Sequence, residues 1–278
     1  MSVKKFGIGQ PIRRVEDVRL LTGGGHYTSD YSPEKSLFGF VLRSPYAHAS
    51  FSISDVETAR ALKGVKLILT AKELEGLGNV PCLAPLKNDD GSRNFVADIP
   101  LLAKNEVKFV GDAIAFIVAE TIEAAKDAAE AISIDYKSKG AVVDIRSALK
   151  NGAPSVWSEQ KDNIAYEQNL GDVKRVNAAF SKAHRVIKLE VENNRLITNY
   201  METRGAVGEY DASSKNFKLT VSSQGVHGLR DILAEKILKV KPEQIQVVTG
   251  DVGGGFGTKT FMYREYPLVL EAARRLKR

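Results

Sequence analysis

The sequence predicts an α+β protein, mixed α/β in character, built in two parts. Three observations carry this. In the first half, the continuous apolar run Ala113 to Val118, an alanine-striped helical stretch and Ile132 to Tyr136 form a strand–helix–strand unit. In the second half, short strand-like runs are followed by two helical stripes. Between them, around residues 145–170, Pro154, Trp157 and many polar residues mark a boundary or a long connection. Domains are therefore expected at 1–145 and 146–278. The 278 residues, 43% apolar and 27% charged, supply enough apolar material for a true core.

Taken in order, Thr22 to Pro33 is rich in turn residues and predicts a loop, with Tyr27 and Tyr31 as anchors. Leu37 to Arg43 alternates and predicts a strand. Asp55 caps a short helix at 56–62, which Gly64 ends. Val65 to Leu69 is a buried strand, and Thr70 with Glu73 forms a capping box. Residues 76–105 are irregular. Thr121 caps the helix whose stripe is Ala124, Ala125, Ala128 and Ala129; its flanking strands would run parallel if they were neighbours. A long strand is expected at Ala183 to Glu192, then strands at 205–210 and 217–223, a helix at about 227–239, and a strand at 244–249. A last helical stripe starts near 264 and tolerates Pro267 because it falls in the first turn. That helix reaches the final residue with no cap, and its apolar face is expected to need a partner beyond position 278.

Composition excludes several chemistries. A single cysteine, Cys82, can form neither an internal disulfide nor a thiolate cluster, and is expected to be a free structural thiol. The four histidines lack ligand spacing, so a protein-ligated metal is not expected. The net charge of +6 is spread over short basic runs such as Lys4-Lys5 and Arg274-Arg275, with no nucleic-acid-binding stripe or module. The N-terminus lacks an apolar leader core, and no run is long and apolar enough to span a bilayer, so the cytoplasm is the expected compartment.

The feature that demands a function is Gly250 to Thr260, GDVGGGFGTKT, directly after a strand. Consecutive glycines bring bare backbone donors close to a ligand. The stretch misses the phosphate-loop pattern because Thr258 stands where its second glycine belongs, and it misses the dinucleotide register. A tight turn that lets a helix pack close to a strand remains open. Ser222 to His227 is a second strand-to-helix turn. If the strands preceding the two turns are neighbours, Gln224 and the glycine loop flank one crevice at the strand ends, suited to a flat, polar, anionic cofactor. Glu202 and Arg204 are expected to form a structural ion pair, with the wall of a substrate channel as the alternative. His26, His48 and His227 are expected to be structural, and Lys259 is either a surface residue or a contact to an anionic cofactor.

Six segments in order resemble the large, molybdopterin-binding subunit of the xanthine dehydrogenase, aldehyde oxidase and aerobic carbon monoxide dehydrogenase family. They are RRVEDVRLLTGGGHYTSD (13–30), LRSPYAHASFSISD (42–55), VKFVGDAIAFIVAET (107–121), YMETRGAVGEYD (200–211), SSQGVHGLRDILAEKI (222–237) and DVGGGFGTKT (251–260). The resemblance implies an α/β hammerhead domain followed by the beginning of a molybdopterin-binding domain. It implies molybdenum held by molybdopterin, or its cytosine dinucleotide form, with Gln224, Gly254, Gly255, Phe256 and Gly257 at the cofactor. Gln224 would hydrogen-bond an oxygen on the metal, and the Phe256 ring would help keep the pocket dry. FAD and [2Fe-2S] clusters are implied on partner subunits, and the general-base glutamate beyond this chain. Purine-oxidising members carry Glu where Thr260 stands, which makes Thr260 a substrate-pocket candidate and argues against purines; an aldehyde or N-heterocycle is expected ahead of CO. On this reading the 278 residues alone turn nothing over and need the remainder of the large subunit or a second chain supplying it. The rival reading is a non-catalytic fragment or assembly module that binds partner subunits without cofactor.

Overall fold

The computed structural model describes residue 9 and residues 11–278. The basic run Lys4-Lys5 and most of the segment read above for a leader lie outside the described residues. In chain order the elements begin with α1 (Asp17–Leu21), β1 (Phe38–Arg43), β2 (Ala49–Asp55), α2 (Glu57–Arg60), β3 (Val65–Leu69) and β4 (Glu106–Val107). They continue through β5 (Ala113–Ala119), α3 (Ile122–Ala131), β6 (Ser133–Ser138), α4 (Ile145–Ala148) and α5 (Val173–Lys182). The second half holds β7 (Ala206–Asp211), β8 (Asn216–Val221), α6 (Val226–Asp231), β9 (Ile245–Val248) and α7 (Glu265–Leu276). The fold is thus mixed α+β, as the sequence indicates.

Strand β5 is the spine of the first half. All seven of its residues are buried, which is why it is a continuous apolar run. It lies between β1 and β3 and is antiparallel to both. The alanines of α3 pack on Ala115, Ile117 and Ala119, since small side chains let the helix approach the sheet closely. Thr121 caps α3 through the Ala124 N–H. Asp55 accepts from the Glu57 and Thr58 N–H groups at the start of α2. Strand β6 does not join β5: it pairs antiparallel with β2 in a separate sheet, β4–β2–β6, so the conditional parallel pair does not arise. Sequence reading missed α1, β2, the two-residue β4, α4 and α5.

The second half is built on β7–β8–β9, with β8 antiparallel to β7 and parallel to β9. After α6 the chain continues as a π-helical run, Ile232–Leu238. The expectation that α7 needs an outside partner is corrected. Tyr266, Leu268, Leu270 and Ala272 are buried in a cluster with Phe217, Leu219 and Leu233, and Leu69, Leu102 and Phe116 of the first half join the same cluster. Lys277 in a left-handed conformation and the Arg278 N–H returning to the Ala273 carbonyl close the helix.

The unpartnered surface lies elsewhere. The strand expected at Ala183 to Glu192 does not form, because nothing among the described residues pairs with it. Ile187, Leu189 and Val191 alternate along this segment and all stand exposed, as do Val173, Val176 and Phe180 of the preceding α5. A strand pattern without a ladder partner leaves both its backbone groups and its apolar face unsatisfied.

Candidate functional site

Strands β8 and β9 are parallel neighbours, with Thr220 opposite Val248, so their C-terminal turns lie side by side. Beyond β8, Ser222 and Ser223 are buried and Gln224 emerges exposed just before α6. Beyond β9 the chain enters the glycine loop, which ends in a short 3-10 turn, Thr258–Thr260. The two turns interlock. The Gln224 N–H donates to the Lys259 carbonyl at 3.1 Å. Gln224 Oε1 accepts from the N–H groups of Gly257 at 3.0 Å and Lys259 at 3.2 Å. Two backbone donors at one end of the carboxamide require its oxygen there.

The loop is shaped by its lack of side chains. A Cβ on Gly255 would fall 2.6 Å from Gln224 Oε1, so no larger residue leaves Gln224 where it is. Gly254, Phe256 and Gly257 all adopt positive φ, at +93°, +47° and +88°. For Phe256 that is a strained conformation, which the loop must hold in place. The Phe256 ring is 75% exposed among the described residues. Thr260 is exposed at the end of the same turn, and His227 lies exposed in the first turn of α6.

Behind the loop is a buried charge network that sequence reading did not find. Lys259 is fully buried, correcting both expectations for it. Its Nζ donates to Glu202 Oε2 at 2.7 Å and Ser222 Oγ at 2.9 Å, and it sits 4.6 Å from the centroid of the Tyr200 ring. Glu202 also accepts from the Gly253 N–H at 2.7 Å and the Ser222 hydroxyl at 2.7 Å, with a longer bond from the Thr28 N–H. Burial works against the Glu202 charge, but the hydrogen bonds from Lys259, Ser222 and Gly253 outweigh it and hold the carboxyl below its ordinary pKa. The expected Glu202–Arg204 pair does not exist: Arg204 instead stacks over the Tyr263 ring, 3.9 Å from its centroid. The METRG spacing hid this, because the true partner of Glu202 lies 57 residues along the chain.

Asp251 ties the loop to the N-terminal segment. It takes a bidentate pair from Arg19, both bonds at 2.6 Å, and the His26 N–H at 2.7 Å. The Arg19 hydrogen bond foremost, then the His26 N–H, keep its carboxyl well below the usual range. Tyr31, expected as an anchor, hydrogen-bonds Glu209 of β7 at 2.8 Å. His48 is more than loop packing: its ring bridges the Gly140 carbonyl and Glu106. Cys82 is free and exposed. Among the described residues no cluster of three His, Cys, Asp or Glu could hold a metal, and no helix is long and apolar enough to cross a membrane.

The donor set fits an anionic oxygen-bearing cofactor. The N–H groups of Gly254, Gly255 and Phe256 have no acceptor among the described residues, and neither has the Gln224 NH₂. Gly255 is buried. Unpaired backbone donors at a buried position are rare, and successive ones form an anion-binding concavity.

Comparison with known proteins follows the same lines. Residues 22–140 match the α/β hammerhead domain of aldehyde oxidase and xanthine dehydrogenase, and residues 156–278 match the molybdopterin cofactor-binding domain. The chain is 32% identical to the nicotine 6-hydroxylase large subunit of Paenarthrobacter nicotinovorans over 97% of its length and 32% of that protein's. It is 31% identical to the carbon monoxide dehydrogenase large chain of Afipia carboxidovorans, over 97% of this chain and 34% of that one. Among solved structures, quinoline 2-oxidoreductase from Pseudomonas putida 86 superposes with a TM-score of 0.83 at 31% identity, covering 96% of this chain and 33% of that one. The chain spans about a third of the length of the curated relatives it matches. With both of these domains in order, it belongs to the molybdopterin-binding large-subunit family of xanthine dehydrogenases, aldehyde oxidases and aerobic carbon monoxide dehydrogenases.

Proposed function

We propose that these residues form the hammerhead domain and the first part of the cofactor domain of a molybdenum hydroxylase large subunit. The observation that carries this is the state of Gln224. Its carboxamide oxygen is consumed by the Gly257 and Lys259 N–H groups, which leaves its NH₂ as a held donor beside the free N–H groups of Gly254 to Phe256. Gln224 would donate to an oxygen of the molybdopterin-bound centre, and the Gly254–Gly257 main chain would line it. Such donors act without reorganising, because the loop is already fixed. When bound, the cofactor supplies two-electron redox chemistry that converts a substrate C–H and water into C–OH, releasing two protons and two electrons. Iron–sulfur and flavin groups on partner subunits would take up those electrons. Phe256 and Thr260 face substrate rather than chemistry, and Thr260 in place of a carboxylate favours an aldehyde or neutral N-heterocycle. The base comes from sequence beyond these residues, so the 278 residues alone are inactive.

The exposed row Ile187, Leu189 and Val191 supports the partner part of this reading. It is the surface against which the remainder of the large subunit, or a second chain supplying it, would add strands. The test is molybdenum per chain by elemental analysis, with intact-complex mass, on protein purified from its native host. Stoichiometric molybdenum with iron and additional subunits is expected. A colourless, metal-free single chain at its own mass overturns the reading and leaves the assembly-module alternative.

A further inference from the structure

We propose that Lys259 is a positioning residue: its buried ammonium, acting through Glu202, staples the two ends of the glycine loop and so sets the orientation of the Gln224 carboxamide. This rests on the cofactor reading above for its purpose, but not for its geometry. Lys259 is gripped at both ends. Its main chain exchanges hydrogen bonds with Gln224, N–H to Oε1 and carbonyl from N–H. Its side chain reaches Glu202, which holds the Gly253 N–H at the other end of the loop. Ser222, the first residue after β8, bonds both members of the pair. One side chain therefore fixes the separation between Gly253 and Lys259, across the three residues whose N–H groups remain free.

A buried ion pair is a poor way to gain stability, since well-packed apolar residues of the same volume do as well or better. What it supplies is a single allowed arrangement, because each partner left alone is a desolvated charge. Lys259 has no exposed surface and the Glu202 side chain only 10%. A shifted loop would break the pair rather than stretch it. The strained φ of Phe256 and the close approach of Gly255 to Gln224 are conformations that need such external restraint.

The test uses the assembled complex and two variants. In K259M/E202Q both charges leave together, so no lone buried charge threatens the fold. In E202D the charges stay and the carboxylate retreats by one methylene. The readouts are molybdenum per chain, thermal midpoint, and hydrogen exchange by mass spectrometry of the 250–261 peptide against a β8 peptide. The proposal expects loop exchange to quicken about tenfold with β8 unchanged, and molybdenum per chain to fall several-fold, in both variants, while the thermal midpoint holds in K259M/E202Q. Native molybdenum content and native loop exchange in both variants overturn it. If K259M/E202Q does not fold, E202D decides alone by the same criteria. If the unsubstituted complex itself lacks molybdenum, the cofactor reading fails, and loop exchange still decides whether Lys259 is the staple.

Discussion

Gln224 and Gly255 define each other: the carboxamide oxygen of Gln224 occupies the space that a Cβ on Gly255 would enter at 2.6 Å. That oxygen sits there because Gly257 and Lys259 donate to it. Replacing Gly255 with alanine is therefore expected to displace the carboxamide rather than unfold the chain. The nearest atoms met are in the exposed, flexible Gln224 side chain, so the thermal midpoint should change little, and molybdenum content of the purified complex should drop. Native molybdenum content in G255A would mean that the Gln224 position is not used.

Gln224→Glu separates the two faces of the same side chain. A carboxylate still accepts from Gly257 and Lys259, so the loop keeps its shape, but the NH₂ donor is gone. The variant complex is expected to bind cofactor and lose roughly 10²-fold in turnover, the usual scale for removing one preorganised donor. Steady-state kinetics on metal-loaded protein check this. Unchanged kcat removes Gln224 from the chemistry.

Glu106 stitches three separate segments of the first half. His48, Lys108 and Lys139 all bond its carboxylate, and Lys108 also lies 4.4 Å from the Trp157 ring centroid. Burial raises its pKa, but the bonds from Lys139, Lys108 and His48 prevail and bring it from 4.5 down to about 2. A group with a lowered folded pKa stabilises fully above its unfolded value and loses that contribution as pH falls through the folded one. Glu106→Gln is thus expected to cost about 1 kcal/mol at neutral pH, because solvent reaches this cluster and screens its charges. The gap between variant and parent should narrow between pH 4.5 and about 2. Denaturant melts across that range measure it. A gap independent of pH would assign the cost to packing.

Gly78 brings the two halves into backbone contact. Its N–H donates to the Ile237 carbonyl at 2.8 Å, and an added Cβ would stand 1.7 Å from the Lys236 carbonyl oxygen. Backbone on both sides leaves nothing flexible to yield. Gly78→Ala is expected to destabilise by about 3 kcal/mol, at the upper end of overpacking costs. Equilibrium denaturation tests this, and a loss under 1 kcal/mol would show that the π-helical run can shift away.

The segment carrying Ile187, Leu189 and Val191 should exchange its amides fast in the isolated chain and slowly in the assembled complex, since only a paired strand protects them. Ile187→Asp with Leu189→Asp is expected to weaken assembly without changing the isolated chain's melting. Equally fast exchange in both states would place the partner elsewhere.

Much of this protein was legible in its sequence because the signals are local. Seven successive apolar residues in β5 announce a strand buried on both faces, alanine spacing announces the α3 contact, and Thr121 and Asp55 announce helix starts within three residues. The Gln224 turn and the glycine loop were likewise visible as two strand-to-helix turns, and the parallel pairing of β8 with β9 makes them neighbours. The same local signals misled where satisfaction is a long-range matter. The pattern at Ala183 to Glu192 promises a strand, yet a ladder needs a partner that no stretch of the described residues provides. Whether β6 joins β5 or β2, whether α7 is covered, and whether Lys259 faces water or Glu202 were decided only by contacts between distant segments. Burial of a charge depends on what surrounds it in three dimensions, and neither its identity nor its neighbours in sequence carry that information.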